Sequence, residues 1–130
     1  MCGIAGWIDW KVDITSKIHV LEKMKNKLAH RGPDEEGEWY SDRAGFVHRR
    51  LIVIDPEGGQ QPMIRFKANN RYIIVYNGEL YNTEDLRVIL TNKGYSFNGH
   101  SDTEVLLLSY IEWGANCVEY LNGIFSFAIW

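Results

Sequence analysis

Two rhythms of apolar residues run along this chain, one of strands and one of helices. GIAGWID, Gly3 to Asp9, is a short apolar run with glycines at 3 and 6 where backbones can approach closely, which predicts a buried strand. In SKIHVLEKMKNKLAHR, Ile18, Leu21, Met24 or Lys25, and Leu28 recur at helical spacing with lysines on the opposite face, so an amphipathic helix with a core-facing stripe is predicted. Four β-branched and aromatic runs follow: EGEWY (36–40), AGFVHRR (44–50), LIVI (51–54) and RYIIVYN (71–77). Turn chemistry in SDRAG and DPEGGQQP separates them, and such short connections leave no room for parallel crossovers, so antiparallel pairs are expected.

The strands then give way to helices. Asn82 is placed to cap NTEDLRVILTNK, with Glu84 and Asp85 in its first turn and Gly94 beyond its last. In SDTEVLLLSYIEWG, Ser101 and Glu104 have capping-box spacing, and Gly114 closes the helix. GIFSFAIW, Gly123 to Trp130, reads as a buried strand. With no internal repeat or linker, the 130 residues describe one α+β domain.

Composition narrows the partners. The hydrophobic share of 45% is ordinary for a globular domain, and 14 basic against 17 acidic side chains give a formal charge of −3 with both signs interspersed. That balance carries no electrostatic footprint for nucleic acid or an anionic membrane. Neither a spanning apolar segment nor a signal-peptide pattern is present, so a cytoplasmic setting is expected, with Cys2 and Cys117 reduced.

Four groups of residues could carry chemistry. Cys2 stands directly behind Met1: if Met1 is removed, thiol and free α-amine share one residue. The amine, with an ordinary pKa of about 7.7–8.0 against about 8.5 for the thiol, can then serve as the base without a histidine. Taken alone, Cys2 reads more simply as a small residue of a first strand. HRGPD, 30–34, is by default a turn after a helix, and His30 there suits the helix dipole. YNGELYN, 76–82, reads first as an Asn-Gly turn, yet it sets the Asn77 amide beside the approachable backbone of Gly78, the two donors of an oxyanion hole. Arg50, Glu79 and Asp102 could bind the carboxylate and ammonium of an α-amino acid, or be plain surface and helix-end charges. The four histidines have no metal-ligand spacing, and no CxxC, HExxH or phosphate-loop motif occurs, so no metal centre is expected.

In order, MCGIAG, HRGPD at 30–34, RRLIVID at 49–55, QQP at 60–62, YNGE at 76–79, GHSDTEV at 99–105 and NGIFSFAIW at 122–130 resemble the landmarks of class II glutamine amidotransferases. Their spacing is most similar to the glutaminase domain of glutamine-hydrolysing asparagine synthetase. The resemblance implies an N-terminal-nucleophile α-β-β-α sandwich with mostly antiparallel sheets. It implies that Cys2 attacks the side-chain amide of glutamine to form a thioester, that Asn77 and Gly78 form the oxyanion hole, that Arg50 holds the substrate carboxylate, and that Glu79 and Asp102 hold its ammonium. Leu51 and Val53 line the pocket through their backbone, beside the HRGPD loop. Residues 1–130 then stand for the N-terminal part of a glutamine amidotransferase type 2 domain, truncated before further strands and before a synthetase domain. ATP and magnesium belong to that synthetase domain, no cofactor to these residues, and a homodimer is possible. A retained Met1 would block the base and leave little or no glutaminase activity. The alternatives are the glutaminase domain of a glucosamine-6-phosphate synthase or amidophosphoribosyltransferase, or a non-catalytic fragment.

Overall fold

The computed structural model describes residues 1–130 as six strands and three α-helices in four layers, with short 3-10 helices at Ile14–Lys17 and Gly114–Glu119. Strands β1 (Gly3–Ile8), β2 (Glu35–Tyr40) and β3 (Ala44–Arg50) form one antiparallel sheet in the order β1-β3-β2. Strands β4 (Met63–Lys67), β5 (Asn70–Leu80) and β6 (Gly123–Ile129) form a second, in the order β4-β5-β6. Helix α1 (Ile18–Lys27) covers the first sheet; α3 (Asp102–Trp113), backed by α2 (Thr83–Asn92), covers the second. The sandwich is therefore α-β-β-α, as the resemblance implied.

Alternation along the strands explains the layering. On β3, Val47 faces α1 and packs with Ile14 and Leu21, while Phe46 turns inward and meets Ile73 and Val75 of β5 between the sheets. On β5, Ile74, Tyr76 and Leu80 point the other way, into a cluster with Leu106 and Leu107 of α3. Val105 to Leu108 are buried in succession because α3 lies between the sheet and α2. A stripe would suffice for a surface helix; a sandwiched one is apolar on two sides.

Several local expectations change. LIVI (51–54) is not a strand: the Leu51 N–H points to Cys2 Sγ and the Ile52 N–H to Asp34 Oδ2, so their hydrogen bonds leave no ladder. Residues 63–67, which carried no strand expectation, form β4 against β5. Asn77 and Gly78 make no turn; they sit inside β5, opposite Ser126 and Phe125 of β6. Asn82 precedes α2 but does not cap it with its side chain, which instead donates to the Tyr120 carbonyl at 2.9 Å and accepts from Asn122 N at 3.0 Å. Ser101 does cap α3, accepting from Glu104 N at 3.3 Å. The Glu104 carboxylate, however, turns away from the cap to Arg65 Nη2 at 2.9 Å and to the amides of Asn98 and Gly99. No helix is long and apolar enough to cross a membrane.

Candidate active site

The cavity sits at one end of the sandwich. About 270 Å³ in volume, it is walled by the chain start, by 50–61, by the end of β5 and by the start of α3. Cys2, Arg50, Leu51, Val53, Asn77, Gly78, Glu79 and Asp102, read from four separate stretches of sequence, all line it.

Cys2 is half-buried just ahead of β1. Its Sγ accepts from Leu51 N at 3.4 Å and donates to Leu51 O at 3.6 Å, and its carbonyl is held by Arg31 Nε at 3.0 Å. HRGPD thus reaches the site twice: Arg31 grips Cys2, and Asp34 Oδ2 takes Ile52 N at 2.8 Å, which fixes the segment that touches the thiol. Gly32 fits here because a Cβ would run into the backbone of Arg49 and Arg50.

The register of β5 decides where the Asn77 and Gly78 donors point. Ile73 and Trp130 exchange both backbone hydrogen bonds, so odd-numbered residues of β5 bond to β6. Even-numbered residues present their N–H groups at the opposite edge. Pairing with β4 ends at Ile74, and beyond it Tyr76 N is taken by Gln61 Oε1 at 2.6 Å, which leaves Gly78 N–H without a ladder partner. The Asn77 side chain shares the inward face of Ile73 and Val75 and makes no hydrogen bond within the chain. An uncommitted amide and an uncommitted N–H on adjacent residues can stabilise negative charge on a carbonyl oxygen.

Arg50 is 4% exposed, and its four terminal N–H groups are spent within the chain. Nη1 donates to Glu35 Oε2 at 2.8 Å and Pro56 O at 3.0 Å; Nη2 donates to Ile54 O at 3.1 Å and Asp55 O at 2.6 Å. The loop is wrapped around the guanidinium. Asp55 closes the loop on itself by accepting from Gly58 N at 2.9 Å and ties it to the segment before α3 by accepting from His100 N at 2.7 Å; these two bonds, His100 first, hold its carboxyl below the usual range. A carboxylate ligand of Arg50 has to take over donors that now serve Glu35 or the carbonyls of 54–56. Val53 at 79% and Ile54 at 46% exposure form the outer lip.

Glu79 is exposed at the rim, and Asp102 is the first residue of α3, where the helix dipole favours its charge. Residues without a sequence-derived role also line the wall: Tyr76, Gln61 and Thr103, with Gln61 Nε2 donating to Thr103 Oγ1 at 3.2 Å. QQP and GHSDTEV contained two of them, but nothing in a lone glutamine or threonine marks a scaffold role. Cys2 and Cys117 are both free thiols. Met1 also lines the cavity, so in this form the amine next to the thiol is a peptide nitrogen and no base.

A cysteine at the chain start, two uncommitted donors on adjacent residues and flanking charges at one end of an α-β-β-α sandwich define a class: the chain belongs to the glutamine amidotransferase domain family, whose model matches residues 1–130. Within it, the sequence is 51% identical to asparagine synthetase [glutamine-hydrolyzing] 3 of Bacillus subtilis strain 168, over 100% of this chain and 21% of that protein. It is 40% identical to asparagine synthetase [glutamine-hydrolyzing] 1 of Arabidopsis thaliana, covering 99% of this chain and 21% of the relative. Asparagine synthetase B [glutamine-hydrolyzing] of Escherichia coli K12 is 35% identical over 100% of this chain and 23% of its own. The chain thus spans about a fifth of the length of these curated relatives. Among solved structures, the glutamine phosphoribosylpyrophosphate amidotransferase of B. subtilis matches 69% of this chain and 22% of its own with 27% identity and a TM-score of 0.57.

Proposed function

We propose that this chain is the glutaminase portion of a glutamine-hydrolysing asparagine synthetase working in the cytoplasm. With Met1 removed, the α-amine of Cys2 takes the thiol proton and Sγ adds to the side-chain amide carbon of glutamine. The oxyanion forms against the Asn77 amide and Gly78 N–H. Collapse returns the proton to the leaving nitrogen, releases ammonia and leaves a γ-glutamyl thioester, which water hydrolyses to glutamate. Arg50 receives the substrate carboxylate as the 54–56 loop yields donors; Glu79 and Asp102 receive the ammonium; Leu51 and Val53 line the pocket. The ammonia goes to a synthetase portion that converts aspartate with ATP and magnesium, none of it assigned to residues here. Pairing of two copies is part of the same reading and is checked by sedimentation.

The observation that carries this proposal is the convergence of the Cys2 thiol with the free donors of Asn77 and Gly78 on one cavity. Terminal mass analysis combined with a glutamate-release assay tests it. Protein starting at Cys2 should release glutamate, the Met1-retaining form little or none, and Cys2→Ala none. Asn77→Ala should lower kcat by roughly 10²–10³, the effect of one lost oxyanion donor. Processed protein that releases no glutamate, or a Cys2→Ala variant as active as its parent, refutes the proposal. Likeness to the phosphoribosylpyrophosphate amidotransferase supports a second reading with a different acceptor. Offering aspartate with ATP, or phosphoribosylpyrophosphate, beside glutamine separates the two.

A further inference from the structure

Tyr76 shares the face of β5 that looks away from Asn77, and its ring lies in the core cluster with Leu106 and Leu107 of α3. Its hydroxyl nevertheless comes up at the cavity wall, where it donates to Asp102 Oδ2 at 2.8 Å. Leu80 N donates to the same oxygen at 3.3 Å, and no protein donor reaches Oδ1. One carboxylate oxygen is pinned from below by two donors, and the other is left to the cavity. The phenol is 2% exposed, too buried to be a surface on which a substrate rests. Burial first, and the Asp102 charge second, push it well above the ordinary tyrosine range, so it remains a donor at any working pH.

We infer that Tyr76 is a positioning residue for α-ammonium recognition: it fixes the rotamer of Asp102 so that Oδ1 faces the substrate. This rests on the reading of Asp102 given above. It assigns to Tyr76 a selectivity for amides that carry an α-amino group, exercised without touching them. The hydroxyl is removed cleanly by Tyr76→Phe, which keeps the ring in the α3 core and leaves Cys2, Asn77 and Gly78 unchanged.

The test is binding to the processed, full-length protein in a Cys2→Ala background, measured by calorimetry with two probes. One is glutamine; the other is 5-amino-5-oxopentanoate, which is glutamine without its α-amino group. Tyr76→Phe should weaken glutamine roughly tenfold, the scale of one lost hydrogen bond to a charged group, and leave the des-amino probe within about twofold. Asp102→Asn should show the same selectivity more strongly, and the double variant should be no worse than Asp102→Asn alone, because both act through one carboxylate. Equal weakening of both probes by Tyr76→Phe would mark a merely structural role and overturn the inference, as would no effect on either. If Asp102→Asn itself treats the probes alike, the failure lies in the assignment of Asp102, and the role of Tyr76 falls with it. If Asp102→Asn discriminates and Tyr76→Phe does not, only the role of Tyr76 fails.

Discussion

Acid should loosen this fold through one histidine. His48 lies on the inward face of β3, 1% exposed, with ring Nε2 3.2 Å from the Tyr76 carbonyl across the sandwich. Burial is the largest influence and pushes its pKa from the ordinary 6.5 down to about 4; the Tyr76 carbonyl and Glu35 pull it upward, and the Arg50 charge adds to the lowering. The folded state therefore refuses a proton that the unfolded chain accepts. The stabilisation is complete above about pH 6.5 and is lost as pH falls from there toward about 4. Linkage between a pKa of 6.5 unfolded and about 4 folded gives a loss of about 2 kcal/mol by pH 5 and about 3 kcal/mol by pH 4, relative to pH 7. Carboxyls held low in the fold, such as Glu104 with its ordinary value of 4.5, begin to matter only near the acid end of that window. Urea unfolding at about pH 7 and about pH 5 isolates the histidine, and His48→Gln is the control, since its amide can still donate to the Tyr76 carbonyl but cannot titrate. The parent should lose about 2 kcal/mol more than His48→Gln between those pH values. Equal losses in the two proteins, or a His48 titration midpoint near 6.5 by NMR in the folded state, would refute the reasoning.

Two other outcomes follow from packing and charge. Gly78→Ala should destabilise by roughly 1–3 kcal/mol and abolish glutamate release together, because a Cβ would run into the Ile124 carbonyl and come within 2.8 Å of Phe125 Cα and 2.9 Å of Tyr76 Cε2. Chemical denaturation and the release assay on one sample check both, and an alanine variant with parental activity would contradict the placement of β6 against β5. Glu104→Gln should cost about 2–3 kcal/mol in urea unfolding. Burial alone would raise the Glu104 carboxyl, but the amides of Asn98 and Gly99 and the Arg65 guanidinium outweigh it and hold it low. This contribution is present at neutral pH and is lost in acid below about 4.5.

The regular elements were the most readable part of the chain, because buried faces impose their period on the sequence. β3 runs from Ala44 to Arg50 as the pattern predicts, and α1 buries Leu21 as its stripe requires. The failures share one physical origin, which is that distant partners outweighed local preference. LIVI has the composition of a strand, but its amides go to Cys2 and Asp34, 49 and 18 positions away. Asn-Gly favours a turn in isolation, yet at 77–78 the β6 backbone comes so close that only a glycine fits at Gly78. β4 is five residues with a charged edge, MIRFK, and only Met63, on the face toward α3, gives it a buried anchor. Site residues were individually ambiguous, as a cysteine, an amide and three charges always are. Their order along the chain carried the resemblance, while the link from Tyr76 to Asp102 left no mark in sequence because it depends on how β5 faces α3.

The contacts that enclose the thiol span the chain: Cys2 with Leu51 across 49 positions, Asp55 with His100 across 45, Gln61 with Thr103 across 42. During synthesis, Cys2 is translated well before the wall that α3 and β6 supply. Closures of that length are slow and come after local helices have formed. The surroundings of the thiol therefore cannot be complete until α3 and β6 have followed it in the chain. On the reading that Met1 is removed, that removal can precede closure of the cavity, because the segment around Cys2 exists before its walls do.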